Sequence, residues 1–339
     1  MSVPPAAVKE FVPELDGLRA LAVLGVVFFH VKWLAPGWLG VNLFFVISGF
    51  LITGILLDTR DSPGYFRRFY IRRFLRIFPI YYLLLAVVCA VLLFHGHAPG
   101  DMPYFFLYLQ NFVIANAHWM PAAPDDITHT WSLAVEEQFY LVWPLAVLLV
   151  TDRRKLQWLC AALFALALVF RAGACARHEV MIAFAYPFGN MDSLAAGAFL
   201  AVSLRCDADA FRRRAQKAFY AGLALLLGAL TVLYAGHFPL HSLELPKTHF
   251  GFVWGSIFAV IFALFVMAAS CGVAQCRWLG WGPLRFIGKI SYGIYLYHYA
   301  LRYICVEWWF VLPATAVVAA LSWYCIERPC LRLKAKWAA

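Results

Sequence analysis

Residues 39–57 read LGVNLFFVISGFLITGILL, nineteen residues without one charge. As a helix this run rises about 28 Å, close to the ~30 Å hydrocarbon core of a bilayer. Asn42 and Ser48 are polar positions inside it, and Gly49 permits close approach of a second helix. Similar apolar runs lie on either side, at 18–35, 77–95, 131–150, 156–171, 183–204, 218–235, 251–269, 290–306 and 309–326. The run at 183–204 is the weakest, because it holds Asn190 and Asp192. The whole chain of 339 residues is 64% hydrophobic and only 14% charged. Soluble domains run at about 45–50% and about 25%. The balance excludes a soluble enzyme, a disordered chain and a secreted disulfide scaffold. It predicts an all-α polytopic membrane bundle of about ten transmembrane helices, forming a single domain over residues 1–339.

The net charge of +10 is read first as topology. With the N-terminus inside, 23 Lys and Arg fall in cytoplasmic segments and 5 in outer ones. A miscounted span would scramble that split, so both termini are expected in the cytoplasm. The nine cysteines include no C-x-x-C pair and no zinc spacing, and read as small buried hydrophobes. No metal is expected. The opening MSVPPAAVKEFVPELDG has no cleavable signal pattern.

Two connecting segments stand out. Segment 58–76 is basic, with Phe66, Phe69, Tyr70 and Phe74 alternating with Arg67, Arg68, Arg72, Arg73 and Arg76. It reads as a cytoplasmic interfacial helix. Segment 96–130 contains no Lys or Arg and reads as an extracytoplasmic loop, with YFFLYLQNFVIA (104–115) lying at the outer surface. Nothing offers a nucleic-acid stacking platform, so no nucleic-acid partner is expected.

Ionisable groups are costly in lipid and point to function by default. Arg19 and His30 are eleven residues apart, which is about three turns plus 20°, so they share one helix face some 16 Å apart. That face carries a cation near the cytosol and an imidazole within the membrane. The pair reads as a charge anchor with a general base or nucleophile, or as a snorkelling Arg with a structural His. In WSLAVEEQFYLVWP (131–144), Glu136 and Tyr140 share a face. Glu136 is expected at the height of His30, as the carboxylate that orients the imidazole. The other reading pairs it with an outer Arg such as Arg302. Glu137 is expected to point elsewhere. His298 is more readily a helix-packing hydrogen bonder than a second catalyst. The forks of Arg68, Arg72, Arg73 and Arg76 suit phosphates, and equally suit anionic lipid. Asn42, Gln138, Tyr140 and His298 complete the candidates, as substrate-binding groups. Gly189, Ser193 and Gly197 form a small-residue packing stripe, which leaves Asp192 without a packing explanation.

Taken in order, these stretches resemble the membrane acyltransferase-3 family. ELDGLRALAVLGVVFFH, with Arg-x10-His at Arg19 and His30, looks like its opening motif. GVNLFFVISGFLI, RRFLRIFP, TWSLAVEEQFYLVWP, SYGIYLYH and IERPCLRL follow in the family's order and cover essentially the whole chain. The resemblance implies a ten-span bacterial inner-membrane protein that transfers an acyl group, most often acetyl from acetyl-CoA, to a hydroxyl of an envelope or exported glycan. It implies that His30 is catalytic, that Arg19 is its motif partner, and that Arg73 and Arg76 act at the acyl-CoA donor. Partners implied are acyl-CoA, a glycan or glycolipid acceptor and membrane lipids. Two departures are visible. Asn42 stands where relatives commonly carry Asp. The SGNH esterase-like domain of many relatives is missing here, so a second transfer step is expected to need another protein. Direct transfer and an acyl-histidine intermediate remain open. A glycan or small-anion transporter is the rival class, and a succinyl or longer-chain transferase the rival within enzymes. Segment 237–250 joins 96–130 as an expected acceptor contact.

Overall fold

A computed structural model describes residues 12–98, 100–116, 125–236, 251–304 and 307–333. It is helical throughout, and the described residues contain no strand. Ten helices of fourteen residues or more form the bundle: α1 Pro13–His30, α2 Gly40–Thr59, α3 Tyr65–Phe94, α4 Trp131–Leu149, α5 Arg153–Ala176, α6 Pro187–Cys206, α7 Ala208–Ala235, α8 Gly251–Ser270, α9 Ser291–Ile304 and α10 Trp308–Ser322. They answer the ten predicted runs one for one. Seven helical segments among the described residues are long and apolar enough to cross a membrane. The helices that fall short are α1, α6 and α9. These carry Arg19 and His30, Asp192, and His298. A helix walled by protein rather than lipid can afford polar side chains, and these three do so.

Boundaries follow local chemistry. Asp152 caps α5 by accepting from the Lys155 amide at 2.9 Å, and Asp207 caps α7 by accepting from the Ala210 amide at 2.8 Å. The predicted run 183–204 is broken at Tyr186, which is extended (φ −71°, ψ 147°) because Pro187 follows it. A short helix, Val180–Ala185, precedes the break. Beyond α10 the chain makes a π-helical turn, Trp323–Glu327, before a last helical turn at Arg328–Arg332. That extra residue per turn brings Glu327 inward, where it is 4% exposed.

Two expectations are corrected. Segment 58–76 is not a separate helix. Residues 58–59 close α2, a turn passes through Gly64 (φ 71°), and Tyr65 onward belongs to the 30-residue α3. Pro79 lies inside α3 without ending it. At about 45 Å, α3 exceeds the ~30 Å core, so its Arg-bearing first turns extend one apolar span. Residues 104–115 do not lie on the surface either. They form Met102–Phe106 and Gln110–Asn116, with Phe105, Gln110, Asn111 and Ile114 buried. Polar side chains bond one another there: Gln110 Nε2 donates to Tyr81 OH (3.1 Å) and to the Thr130 carbonyl (3.0 Å). The predicted acceptor contact at 237–250 lies outside the described residues.

At the centre α6 packs against α2, α5 and α8. The α2–α6 contact is a glycine crossing. A Cβ on Gly49 would strike the Leu194 carbonyl, and one on Gly197 would strike the Val46 carbonyl. The small-residue stripe is therefore packing, as expected. Gly197→Val should cost about 1–3 kcal/mol or more by overpacking, read as a lowered Tm of the solubilised protein. Gly228→Ala, whose added methyl meets nothing within 4 Å, should leave Tm unchanged or slightly raised.

Candidate active site

The Arg19 and His30 ends of α1 open on two different cavities. Arg19 meets Arg73 and Arg76 from α3, and Glu136, Glu137 and Tyr140 from α4, around one of them. His30 lines the other with Thr128, His129, Trp131 and Tyr299. Val41 and Tyr295 line both and form the partition between them.

In the arginine cavity, Ser48 Oγ donates to Glu136 Oε1 at 2.5 Å, and Tyr140 OH donates to Ser48 Oγ at 3.1 Å. Arg19 Nη1 is 3.4 Å from Asp16 Oδ1, one turn away. Arg73 Nε is buried and has no hydrogen-bond partner among the described residues. The three guanidiniums thus face a shared space in which an anion would be welcome. Arg73 and Arg76, at i and i+3, reach it. Arg68 and Arg72 occupy another face of α3 and do not line it. Glu137, expected to point elsewhere, lines the same cavity as Glu136.

The imidazole end is a hydrogen-bond chain. His298 Nδ1 faces two carbonyl oxygens, Tyr295 at 2.8 Å and Ile294 at 3.2 Å. An imidazole nitrogen facing carbonyls must donate, so neutral His298 accepts at Nε2. His30 Nδ1 lies 3.0 Å from that Nε2 and is therefore the donor. This assignment leaves the lone pair of His30 on its Nε2. His129 Nε2 also donates to the Tyr295 carbonyl, at 2.9 Å. The Tyr295 hydroxyl in turn donates to the His129 carbonyl at 2.7 Å and contacts Ser132 Oγ at 2.6 Å. One residue of α9 so fixes two imidazoles.

Glu136 is not the group that orients His30. The structure gives that position to His298, while Ser48 holds Glu136 at the arginine cavity. The reason is height. His129, just before α4, is level with His30 (ring centroids 6.4 Å), so Glu136 lies about 10 Å further along. His298 is accordingly more than a packing residue. Gln138 is no substrate ligand: it exchanges hydrogen bonds with Asn111 and donates to the Tyr108 carbonyl at 2.8 Å, tying the short helices to α4. Tyr140 does line the arginine cavity. His129 was missed by sequence reasoning. Its only signal was its place two residues before the TWSLAVEEQFYLVWP helix, inside a segment read as loop.

Asn42 belongs to a third cavity, and its Nδ2 donates to Ser193 Oγ at 3.3 Å. Beside it, Asp192 finds its explanation. Arg171 Nη2 bonds Asp192 Oδ2 at 2.6 Å and Ser256 Oγ at 2.6 Å. Its Nε donates to the Phe252 carbonyl at 2.9 Å, and its Nη1 donates to the Gly189 carbonyl. The pair is 9% and 1% exposed, and its hydrogen bonds tie α5, α6 and α8 together. The side chain of Arg302, the alternative partner for Glu136, lies outside the described set. Among the described residues no cluster of three or more His, Cys, Asp or Glu is arranged to hold a metal.

A family model for an acyltransferase domain, acyltransferase-3, matches residues 12–326. The chain belongs to this family. An acyltransferase-3 chain from Listeria monocytogenes, the peptidoglycan O-acetyltransferase OatA, is 31% identical over 361 residues, covering 95% of this chain and 56% of the relative. The putative peptidoglycan O-acetyltransferase YrhL of Bacillus subtilis is 30% identical over 362 residues (94% and 55%). The O-acetyltransferase OatA of Staphylococcus aureus is 29% identical over 348 residues (94% and 57%). The chain thus spans about half the length of the curated relatives it matches. No solved structure matches it. Family and helices together make it a multi-pass membrane protein.

Arg171→Met should cost about 3–5 kcal/mol, because it strands the buried Asp192 carboxylate. Arg171→Met with Asp192→Leu should recover much of that loss. Thermal melts of the solubilised variants measure both.

Proposed function

We propose that this chain is an O-acetyltransferase of the bacterial plasma membrane, moving acetyl from acetyl-CoA to a hydroxyl of a cell-wall glycan. The observation that carries the reading is the chain from the Tyr295 carbonyl through His298 to His30, which presents one basic nitrogen to a cavity inside the bundle. The names of the relatives support the acceptor class. The Lys and Arg asymmetry supports a cytosolic arginine cavity.

In this reading the CoA phosphates bind where Arg19, Arg73 and Arg76 converge, as guanidinium forks suit them. The pantetheine arm passes the Val41–Tyr295 partition and brings the thioester to His30. His30 Nε2 takes the proton of an acceptor hydroxyl as its oxygen attacks the thioester carbonyl. A C–O bond forms, the C–S bond breaks, and the CoA thiolate leaves with the proton returned from the imidazolium. As positive charge develops on His30, the fixed dipoles of His298 and the Tyr295 carbonyl stabilise it, the part a carboxylate plays in a Ser-His-Asp triad. The same Nε2 could instead carry the acetyl group. Rapid-quench mass spectrometry of the enzyme with acetyl-CoA separates the two, an acetylated His30 peptide marking the second.

Acetyl transfer from acetyl-CoA to peptidoglycan fragments by purified protein tests the proposal. His30→Ala should abolish transfer while folding normally; full activity in that variant would sink it. His298→Ala should lower kcat by about 10²–10⁴ with little change in either KM. Arg73→Ala and Arg76→Ala should instead raise the KM for acetyl-CoA, and more so at high salt.

A further inference from the structure

The cavity around His30 has a volume of about 210 Å³, room for several waters at ~30 Å³ each or for one sugar ring. Its wall away from the arginines is aromatic. Trp38, Trp131 and Phe184 line both this cavity and the neighbouring one that holds Asn42 and Arg171. Phe184 is the middle ring, with centroids 4.5 Å from Trp131 and 6.4 Å from Trp38. It is fastened from behind, since Asn190 Nδ2 donates to its carbonyl at 2.7 Å.

Two polar atoms in this chamber are buried and have no hydrogen-bond partner among the described residues: Trp38 Nε1 and His129 Nδ1. Indole N–H can only donate. His129 donates through Nε2 to Tyr295, so its Nδ1 can only accept. An orphaned donor and an orphaned acceptor in one aromatic chamber each carry a desolvation cost that a ligand would remove. The ligand that fits has hydroxyls, which both give and take hydrogen bonds, on an otherwise apolar ring that can lie against indole faces.

We infer that the chamber walled by Trp38, Trp131 and Phe184 is the acceptor subsite and binds one N-acetylhexosamine ring of the glycan. Trp38 Nε1 and His129 Nδ1 are its hydrogen-bonding partners. The inference rests on the proposed acetyl transfer for its choice of glycan. The ring sits where the partition wall, the aromatic wall and His30 meet, so the hydroxyl nearest His30 Nε2 is the one acylated. Specificity for a ring position is then set by which hydroxyls reach Trp38 and His129.

The test is equilibrium binding to the full chain in nanodiscs, by calorimetry. The probes are the peptidoglycan disaccharide N-acetylglucosaminyl-N-acetylmuramic acid and free CoA. Trp38→Phe keeps the ring and removes the N–H. It should weaken disaccharide binding about tenfold, the order expected for one lost hydrogen bond, and leave CoA binding unchanged. Trp131→Phe, which trims a stacking face, gives an independent variant should the first misfold, with the same split expected. A wild-type protein that does not bind the disaccharide overturns the inference. So do variants that bind it as tightly as wild type, or that lose CoA affinity instead, since that would give the chamber to the pantetheine arm. If binding behaves as expected while no acetyl is ever transferred, the sugar site stands and the proposed reaction falls.

Discussion

Everything at the centre of this protein is referred to one backbone oxygen. The Tyr295 carbonyl accepts from the imidazoles of His298 and His129. A carbonyl within an α-helix is normally committed to the amide four residues on. Here it also fixes two tautomers and, through His298, a third. Because a carbonyl cannot change protonation state, the orientation of the chain does not drift with pH as it would behind a carboxylate. The Tyr295 hydroxyl binds back to the His129 carbonyl, so α9 and the turn before α4 hold each other at two points. The chemistry assigned to His30 depends on that clamp more than on its own helix.

The distribution of polarity follows from the same constraint. Helices α1, α6 and α9 are the least suited to lipid and hold the groups that matter most. Each is screened by longer, more apolar neighbours. The buried Arg171–Asp192 pair shows how the cost of charge is met at the far end, by distributing guanidinium bonds over two carbonyls, a carboxylate and a serine. At the near end the arginines lack such a full set: Arg73 keeps a buried N–H without a partner among the described residues. A fully bonded cation builds structure, whereas an underused one leaves capacity for a ligand.

What could be read from sequence was what is local. Apolar runs of bilayer length located all ten helices. The eleven-residue spacing placed Arg19 and His30 on one face, and three-residue spacing brought Arg73 and Arg76 together, because helix geometry is indifferent to context. What depended on the relative heights of separate helices was not legible. Glu136 was put level with His30 on the assumption that α4 started higher, and the turn containing His129 occupies that level instead. The pairing of Arg171 with Asp192 crosses from α5 to α6, and no periodicity announces it. Trp38, His129 and Phe184 sit in turns and at helix ends, where neither a 3.6-residue repeat nor an intramembrane charge draws the eye. The long α3 swallowed the expected interfacial helix, since aromatic residues between the arginines let one helix run from water into lipid unbroken.

The wide turn at Trp323–Glu327 has a bearing on how such chains tolerate change in length. A residue inserted into a helix advances everything after it by about 100°. Removing one residue between Ser322 and Arg328 would restore ordinary winding and swing the following stretch by more than a quarter circle. Glu327 would then be carried from the protein interior toward lipid, though no side chain had been replaced. At this point in the bundle the spacing of residues carries information that their identities do not.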